Sequence, residues 1–437
     1  MDMKWVAPNE SAHTSFTAFS SEWLDPRACS EVVNQALRTR PAEERLGLLI
    51  LEVRGLSEHL GALMSEGDGG ALVSLATQLP TMTAIARIGR ETLALVFPGL
   101  KSVSEAEALA QAATSAPLLI CDSLGAPIPL DVRAGLAVAP DHGGSYETLL
   151  ARAELAIAEL RRQKAATFVT FHSDIQVEAL RRCRLRQDLE GADQRGEFEL
   201  FYQPQIDLAT GRMVGAEALL RWNHPTHGLL LPNEFLAGME KTAQARRVDS
   251  WVLETAALQA VEWNGTKPGI RVAINIFPDR LGPELVCDVE RMLDVHGLAP
   301  ENLEIEIPER HALDDLRRAA ATVRSLRRLG VSVALDDFGT GFASLNAISA
   351  LEVNRLKIDR SFVSDMLSNG KSVAIVSTLI ELGRRIDLSI LAEGIETPEQ
   401  RDVLQAFGCN EGQGYLFGKA VRPEQLRSGH PADALAR

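Results

Sequence analysis

Six oxygen-bearing side chains and one lysine recur between residues 217 and 393, each inside or just after a short apolar run. Glu217 lies in Gly-Ala-Glu-Ala-Leu-Leu, Asn275 closes Val-Ala-Ile, and Glu306 lies in the run 303–307. The doublet Asp336-Asp337 follows 331–335, Lys357 sits in Arg-Leu-Lys-Ile, and Glu393 follows 388–392. Carboxylate and amide oxygens are hard ligands that suit Mg²⁺ or Mn²⁺ rather than a thiolate-bound metal. Glu217, Asn275, Glu306 and Asp336 would serve one ion. Adding Asp337 and Glu393 gives more donors than one ion needs beside its waters, so Asp336 is placed to bridge two, the layout of two-metal phosphodiester hydrolysis. Lys357 would steady the attacking water or the developing charge. One acid at a strand end is more often a helix cap or a salt-bridge partner. Two adjacent carboxylates at a packed strand end are harder to dismiss, because they repel unless a cation or proton relieves them. Gly339 and Gly341 then supply a loop in which backbone can approach a ligand.

These residues act together only if the fold gathers them. Helical patterns at 313–329 and 373–385 separate the apolar runs, and strand–helix–strand repetition is the signature of parallel β/α architecture. Such folds collect the C-terminal ends of their strands at one mouth. The fold class is therefore α/β, with a barrel or open sheet carrying the acids. Upstream the pattern changes: strand 46–53, a Gly-interrupted helix 56–79, a hairpin 84–88 and 93–97, helix 104–113, strand 130–138, helix 146–162 and strand 167–171. That order is α+β with an antiparallel component. The organisation expected is an N-terminal arm over 1–40, a first domain over 41–172, a linker helix over 173–195, a second domain over 185–425 and a tail over 426–437. In the linker, Val177, Leu180, Leu185 and Leu189 form one apolar stripe.

Composition narrows the function classes. At 437 residues the chain accommodates two domains, and 46% hydrophobic with 24% charged residues excludes disorder. No run of eighteen apolar residues occurs and residues 1–22 lack the pattern of a leader, so a soluble cytoplasmic protein without membrane contact is expected. Cys29, Cys121, Cys183, Cys287 and Cys409 are scattered, away from zinc or redox spacing. A formal charge of −14 argues against a nucleic-acid polymer as partner. His224 and His227 read as a surface loop more readily than as a metal pair. Asp337-Phe338-Gly339 matches a kinase element, but no catalytic or Gly-rich loop accompanies it.

Glu217-Ala218-Leu219 with Leu220-Arg221-Trp222, then Asp336-Asp337-Phe338-Gly339-Thr340-Gly341, Lys357-Ile358-Asp359, Ala392-Glu393-Gly394-Ile395-Glu396 and Gln413-Gly414-Tyr415 resemble the EAL domain of bacterial cyclic di-GMP phosphodiesterases. The resemblance covers about residues 185–423. It implies a modified TIM (β/α)8 barrel, often a homodimer, that opens cyclic di-GMP to linear pGpG with two Mg²⁺ or Mn²⁺ ions. It assigns Glu217, Asn275, Glu306 and Asp336 to one metal and Asp336, Asp337 and Glu393 to the second, with Lys357 near the attacking water. Gln203, in Tyr-Gln-Pro, and Arg221 match nucleotide contacts, and Gln413 a polar residue of the site. Glu309 and Glu396 match acids that hold the Asp-Asp-Phe-Gly loop.

The chain departs from the family at Phe277 and Pro278, where Asn-x-Ser is usual, at Pro308, within the usual Glu-x-Thr-Glu, and at Lys241 and Ala243. Pro308 removes an N–H beside two acids, yet no ligand is deleted, so activity is expected. The alternative is a cyclic di-GMP receptor that acts through a protein partner. The first domain resembles a GGDEF domain whose signature has decayed: Arg87-Ile88-Gly89-Arg90-Glu91-Thr92-Leu93 stands for Arg-x-Gly-Gly-Asp-Glu-Phe. Glu52 replaces a metal-binding Asp, Leu56 a Phe and Arg161 a phosphate-contacting Lys, and the inhibitory Arg-x-x-Asp is missing. The resemblance implies no cyclase activity and leaves open a dimerisation scaffold or a GTP sensor.

Overall fold

A computed structural model describes residues 24–56, 84–115, 117–121, 127–162, 166–240, 242–266, 268–339 and 345–428. Most of the expected arm, most of the helix 56–79, Lys241, Thr340, Gly341 and the tail from 429 lie outside the described residues. The chain divides into two units, Met1–Arg181 and Arg182–Arg437. Among the described residues no helix is long and apolar enough to cross a membrane.

The first unit contains strands β1 (Arg45–Val53), β2 (Ala84–Arg87), β3 (Thr92–Leu100), β4 (Leu118–Cys121), β5 (Pro127–Leu130), β6 (Val132–Ala139) and β7 (Phe168–Thr170). Five of them form one sheet in the order β2-β3-β1-β6-β7, antiparallel except for β6 with β7. The near-continuous apolar run of β1 reflects burial on both faces. Leu49 and Leu51 face the helix Val103–Thr114, while Leu48 and Ile50 face the helices Pro26–Thr39 and Tyr146–Leu160.

Two expectations are corrected here. Residues 26–39 are not arm: Asp25 caps a helix by accepting from the Ala28 N–H at 2.8 Å, Pro26 fits its first turn, and Cys29 and Val33 are buried against the sheet. The run 130–138 is not one strand, because it breaks at Asp131 into β5, paired with β4, and β6, paired with β1. The linker stripe also divides. Leu185 and Leu189 join the core of the second unit, whereas Val177 and Leu180 are 65% and 53% exposed.

The second unit is an eight-stranded barrel with one added strand. It comprises β8 (Phe198–Asp207), β9 (Met213–His224), β10 (Gly228–Leu230), β11 (Arg271–Asn275), β12 (Leu303–Pro308), β13 (Ser332–Phe338), β14 (Arg355–Ile358), β15 (Ser389–Ala392) and β16 (Glu411–Gly412). Strands β9 and β11 to β16 follow one another in parallel, and β8 closes the ring antiparallel to both β16 and β9. Side chains alternate across the sheet. Val272, Ile274, Ile305, Ile307, Val333, Leu335, Leu356 and Ile358 point outward and pack with the helices as one core. The opposite parity carries Asn275, Glu304, Glu306, Asp336, Arg355 and Lys357. The barrel axis is lined mainly by polar side chains, with Leu391, Ala273 and Ala334 among them, and most of the hydrocarbon lies between sheet and helices.

Candidate active site

Register delivers the acids to one mouth. Gln203 on β8 stands opposite Glu217 on β9, Asn275 pairs in register with Glu306, and Pro308 with Asp336. Glu393 follows the end of β15, and Gln413 follows β16, its N–H donating to the Ala392 carbonyl at 2.9 Å.

At the centre is Lys357, with no exposed surface. Its Nζ lies 2.7 Å from Glu306, 2.8 Å from Glu393, 3.1 Å from Asp336 and 3.7 Å from Glu217. Asn275 Nδ2 donates to Glu217 Oε1 at 2.7 Å, which leaves the amide oxygen as the acceptor on the other branch of the side chain. Burial alone would neutralise these groups, but the charges divide them. Burial pushes Glu217 up, yet Lys357 and hydrogen bonds from Gln413 and Asn275 outweigh it and hold the carboxylate below its ordinary range. Burial drives Glu306 well above that range against the pull of Lys357, with Glu217 and Asp336 adding to the rise. Glu393 is pushed up to about 8 by burial and by Asp336 and Glu217, Lys357 opposing. Burial disfavours the Lys357 ammonium, but Asp336, Glu217, Glu306 and Glu393 together hold its pKa well above the ordinary value.

The doublet lies inside a strand end rather than after it. The ladder between β13 and β14 slips between Leu335 and Phe338, and Asp337 takes a φ of 54°, a conformation rare outside glycine. The slip brings oxygens of Asp336, Asp337 and Glu393 within 4.8 Å of one another. Gly339 follows at φ 95° and its N–H donates to the buried Glu309 at 3.0 Å, so Pro308 has not displaced Glu309 from the loop. No bond from the Glu396 carboxylate to 336–339 is seen among the described residues; its backbone N–H donates to Gln400 at 2.8 Å. Glu309→Ala should therefore slow any metal-dependent turnover roughly 10–100-fold, as loss of a partner behind metal ligands does, with the far-ultraviolet spectrum unchanged. Turnover within twofold of wild type would count against the clamp.

The EAL domain family matches residues 182–420, over half of the chain. The chain belongs to the EAL family. MucR of Pseudomonas aeruginosa, a bifunctional diguanylate cyclase/cyclic di-GMP phosphodiesterase, is 31% identical over 95% of the chain and 61% of its own length. The cyclic di-GMP phosphodiesterase PA2567 of the same organism is 34% identical over 68% of the chain and 52% of its own. The chain thus spans between half and two-thirds of these relatives. A solved structure described as the PaMucR phosphodiesterase in complex with c-di-GMP superposes with a TM-score of 0.54 at 38% identity, covering 56% of this chain and 99% of that one. The EAL enzyme Bd1971, in its cAMP- and cyclic-di-GMP-bound form, gives 0.54 at 32% identity, covering 68% and 81%.

Around the mouth of this EAL barrel, Gln413 Nε2 donates to Glu217 Oε2 at 2.5 Å and to Gln203 Oε1 at 3.1 Å. Arg221 lies buried on the Phe201 ring at 5.5 Å, its NH1 donating to the Leu220 carbonyl at 2.9 Å. Sequence reasoning passed over the layer beneath. Gln205 Nε2 donates to Gln413 Oε1 at 3.2 Å, and its Oε1 accepts from Arg271, also at 3.2 Å. Arg271 and Arg355 bond Glu411, and Arg355 lies 3.2 Å from the wholly buried Glu304. Four of them sit two residues from a residue already singled out, Gln205 from Gln203, Glu304 from Glu306, Arg355 from Lys357 and Glu411 from Gln413, and Arg271 sits four from Asn275. Strand periodicity was the signal that could have found them.

Two other sequence candidates are spoken for. His224 is buried, its Nδ1 accepting from the Thr226 and His227 N–H groups at 3.1 and 3.2 Å, with Nε2 3.3 Å from Asp188. That leaves it no lone pair free for a metal shared with His227. In the first unit, Arg161 donates to both oxygens of Glu52 at 2.7 and 3.2 Å, and Glu91 accepts from the Gly55 N–H at 3.0 Å.

Proposed function

We propose that the EAL domain hydrolyses cyclic di-GMP to linear pGpG at a site for two divalent ions, Mg²⁺ or Mn²⁺. The observation that carries this reading is the convergence of Glu217, Glu306, Asp336 and Glu393 on the single ammonium of Lys357. One cation is set against four acids, and a further oxygen, Glu306 Oε1, is buried without a hydrogen-bond partner among the described residues. An all-oxygen, anion-rich set of this kind fits hard divalent ions. Glu217, Asn275, Glu306 and Asp336 would hold one ion, and Asp336, Asp337 and Glu393 the other. When bound, the ions would supply Lewis-acid stabilisation of the phosphate and lower the pKa of a water.

The chain's own residues do the rest. Hydrolysis joins a water oxygen to phosphorus and breaks one bond from phosphorus to a ribose 3′ oxygen, which takes up a proton. Lys357, a donor-only ammonium fixed by its acids, would orient that water and offset charge on the phosphate oxygens. Gln413 and Gln203 keep the Glu217 carboxylate facing the mouth, and Arg221, which has no carboxylate within 4 Å among the described residues, would take a phosphate of the nucleotide. The names of MucR and PA2567 and the c-di-GMP complex of the former support the substrate. In the first unit, which we read as a degenerate GGDEF domain, the Glu52–Arg161 pair ties an acid and a cation to each other. The role proposed for it is to scaffold a cytoplasmic homodimer or a protein partner rather than to cyclise GTP.

Incubation with cyclic di-GMP and Mn²⁺ or Mg²⁺ should yield pGpG, and tight binding without product under either ion would sink the reading. Metal loading should depend on pH. Ligand protons compete with metal, and with Glu393 pushed up to about 8, Mn²⁺ affinity should rise from pH 6.5 and level off above about 8. Titrations followed by the electron paramagnetic resonance of free Mn²⁺ would show this, and a flat profile would contradict it.

A further inference from the structure

Strand β11 ends at Asn275, and the backbone just beyond it is held from outside the barrel. Asp249, on the helix Ala243–Thr266, is buried, and its two oxygens accept the Phe277 N–H at 3.2 and 3.4 Å. The Arg280 guanidinium lies 3.6 Å from the same carboxylate and bonds Asp288 at 2.6 Å. Between them Pro278–Arg280 forms a 3-10 turn, closed by the Arg280 N–H on the Phe277 carbonyl at 2.9 Å. One carboxylate thus takes the first amide of the turn and faces its last side chain. Phe277 has no polar side-chain atom and Pro278 no N–H, so of these two residues at the start of the turn only the Phe277 amide offers a donor to hold. Burial pushes the Asp249 carboxyl up to about 7 against the Phe277 amide and Arg280, so an apolar residue here would avoid a desolvation cost.

We infer that Asp249 is a positioning residue: by clamping the Phe277 amide it fixes the backbone two residues beyond Asn275 and so aims the Asn275 amide oxygen at the metal site. It touches neither substrate nor ion, and the inference rests on the metal-site reading above.

The test uses the full chain stripped of metal, with Mn²⁺ alone as probe. Asp249→Asn keeps an oxygen of the same shape to accept the amide and should bind Mn²⁺ within about threefold of wild type. Asp249→Leu fills the space without an acceptor and should weaken binding roughly 10–100-fold. If it fails to fold because the buried Arg280 keeps only Asp288 as countercharge, Asp249→Leu with Arg280→Met removes the facing pair and should show the same loss. Equal Mn²⁺ affinity in the folded leucine variant and wild type, whatever their melting temperatures, would overturn the role of Asp249. So would an asparagine variant as weak as the leucine one. Wild-type protein that binds no Mn²⁺ would overturn the site reading itself, and the inference with it.

Discussion

Lys357→Met should abolish turnover of cyclic di-GMP and, in metal-free buffer, lower stability by about 3–5 kcal/mol, the cost of removing one partner from a buried ion pair. The ammonium is the one cation within 4 Å of Glu217, Glu306, Asp336 and Glu393 among the described residues. Methionine matches its length but leaves the acids to repel one another, so several must take up protons in order to fold. The variant should therefore regain stability when Mn²⁺ is added, by more than wild type does, because the ions then supply the only countercharge. Thermal melts with and without Mn²⁺, beside a product assay, measure both effects. A variant that melts with wild type in chelator would show that the cluster is not held by Lys357.

Glu217→Gln should cost at least a hundredfold in turnover with little loss of fold. Glutamine preserves the volume and one carbonyl oxygen, so a bond from Gln413 or Asn275 survives, while the negative charge goes. Alanine would be a poorer probe, since it strands both donors in a buried place. With its pKa held low, Glu217 is the acid that stays ionised while Glu306 beside it is driven up. Removing its charge withdraws an anion that the site holds ready for a cation at neutral pH. Steady-state kinetics and Mn²⁺ titration should fall together, and loss of turnover with unchanged Mn²⁺ affinity would assign Glu217 to something other than metal.

The second unit was legible where chemistry coincided with pattern. Glu306, Asp336 and Glu393 stand out because an acid at the end of a β-branched run has no packing reason to be there. What could not be read was what faces them. Arg271 and Arg355 look like flanks of apolar runs, and only closure of the ring sets them against Glu304 and Glu411, far away in sequence. Asp249 reads as an ordinary polar residue of a long helix, since its partners are one amide and one arginine some thirty residues on. In the first unit the Asp25-Pro26 pair, a start signal for the helix that follows it, fell inside the polar stretch read as arm, and Asp131 was too brief a break to split an apolar stretch. Local pattern reports which face a residue takes and is silent on distant company.

The ionic lining of the barrel leaves its cohesion to a single annulus, where the outward leucines, isoleucines and valines of the strands meet the helices. A cylinder with a greasy middle can lose a stave and collapse inward on what remains. This one has charge at its centre, and a missing stave would flood the arginines and glutamates with solvent. Excision of any one strand and its helix should thus leave no smaller folded remnant, which sets the whole ring as the least length of chain that can carry the site.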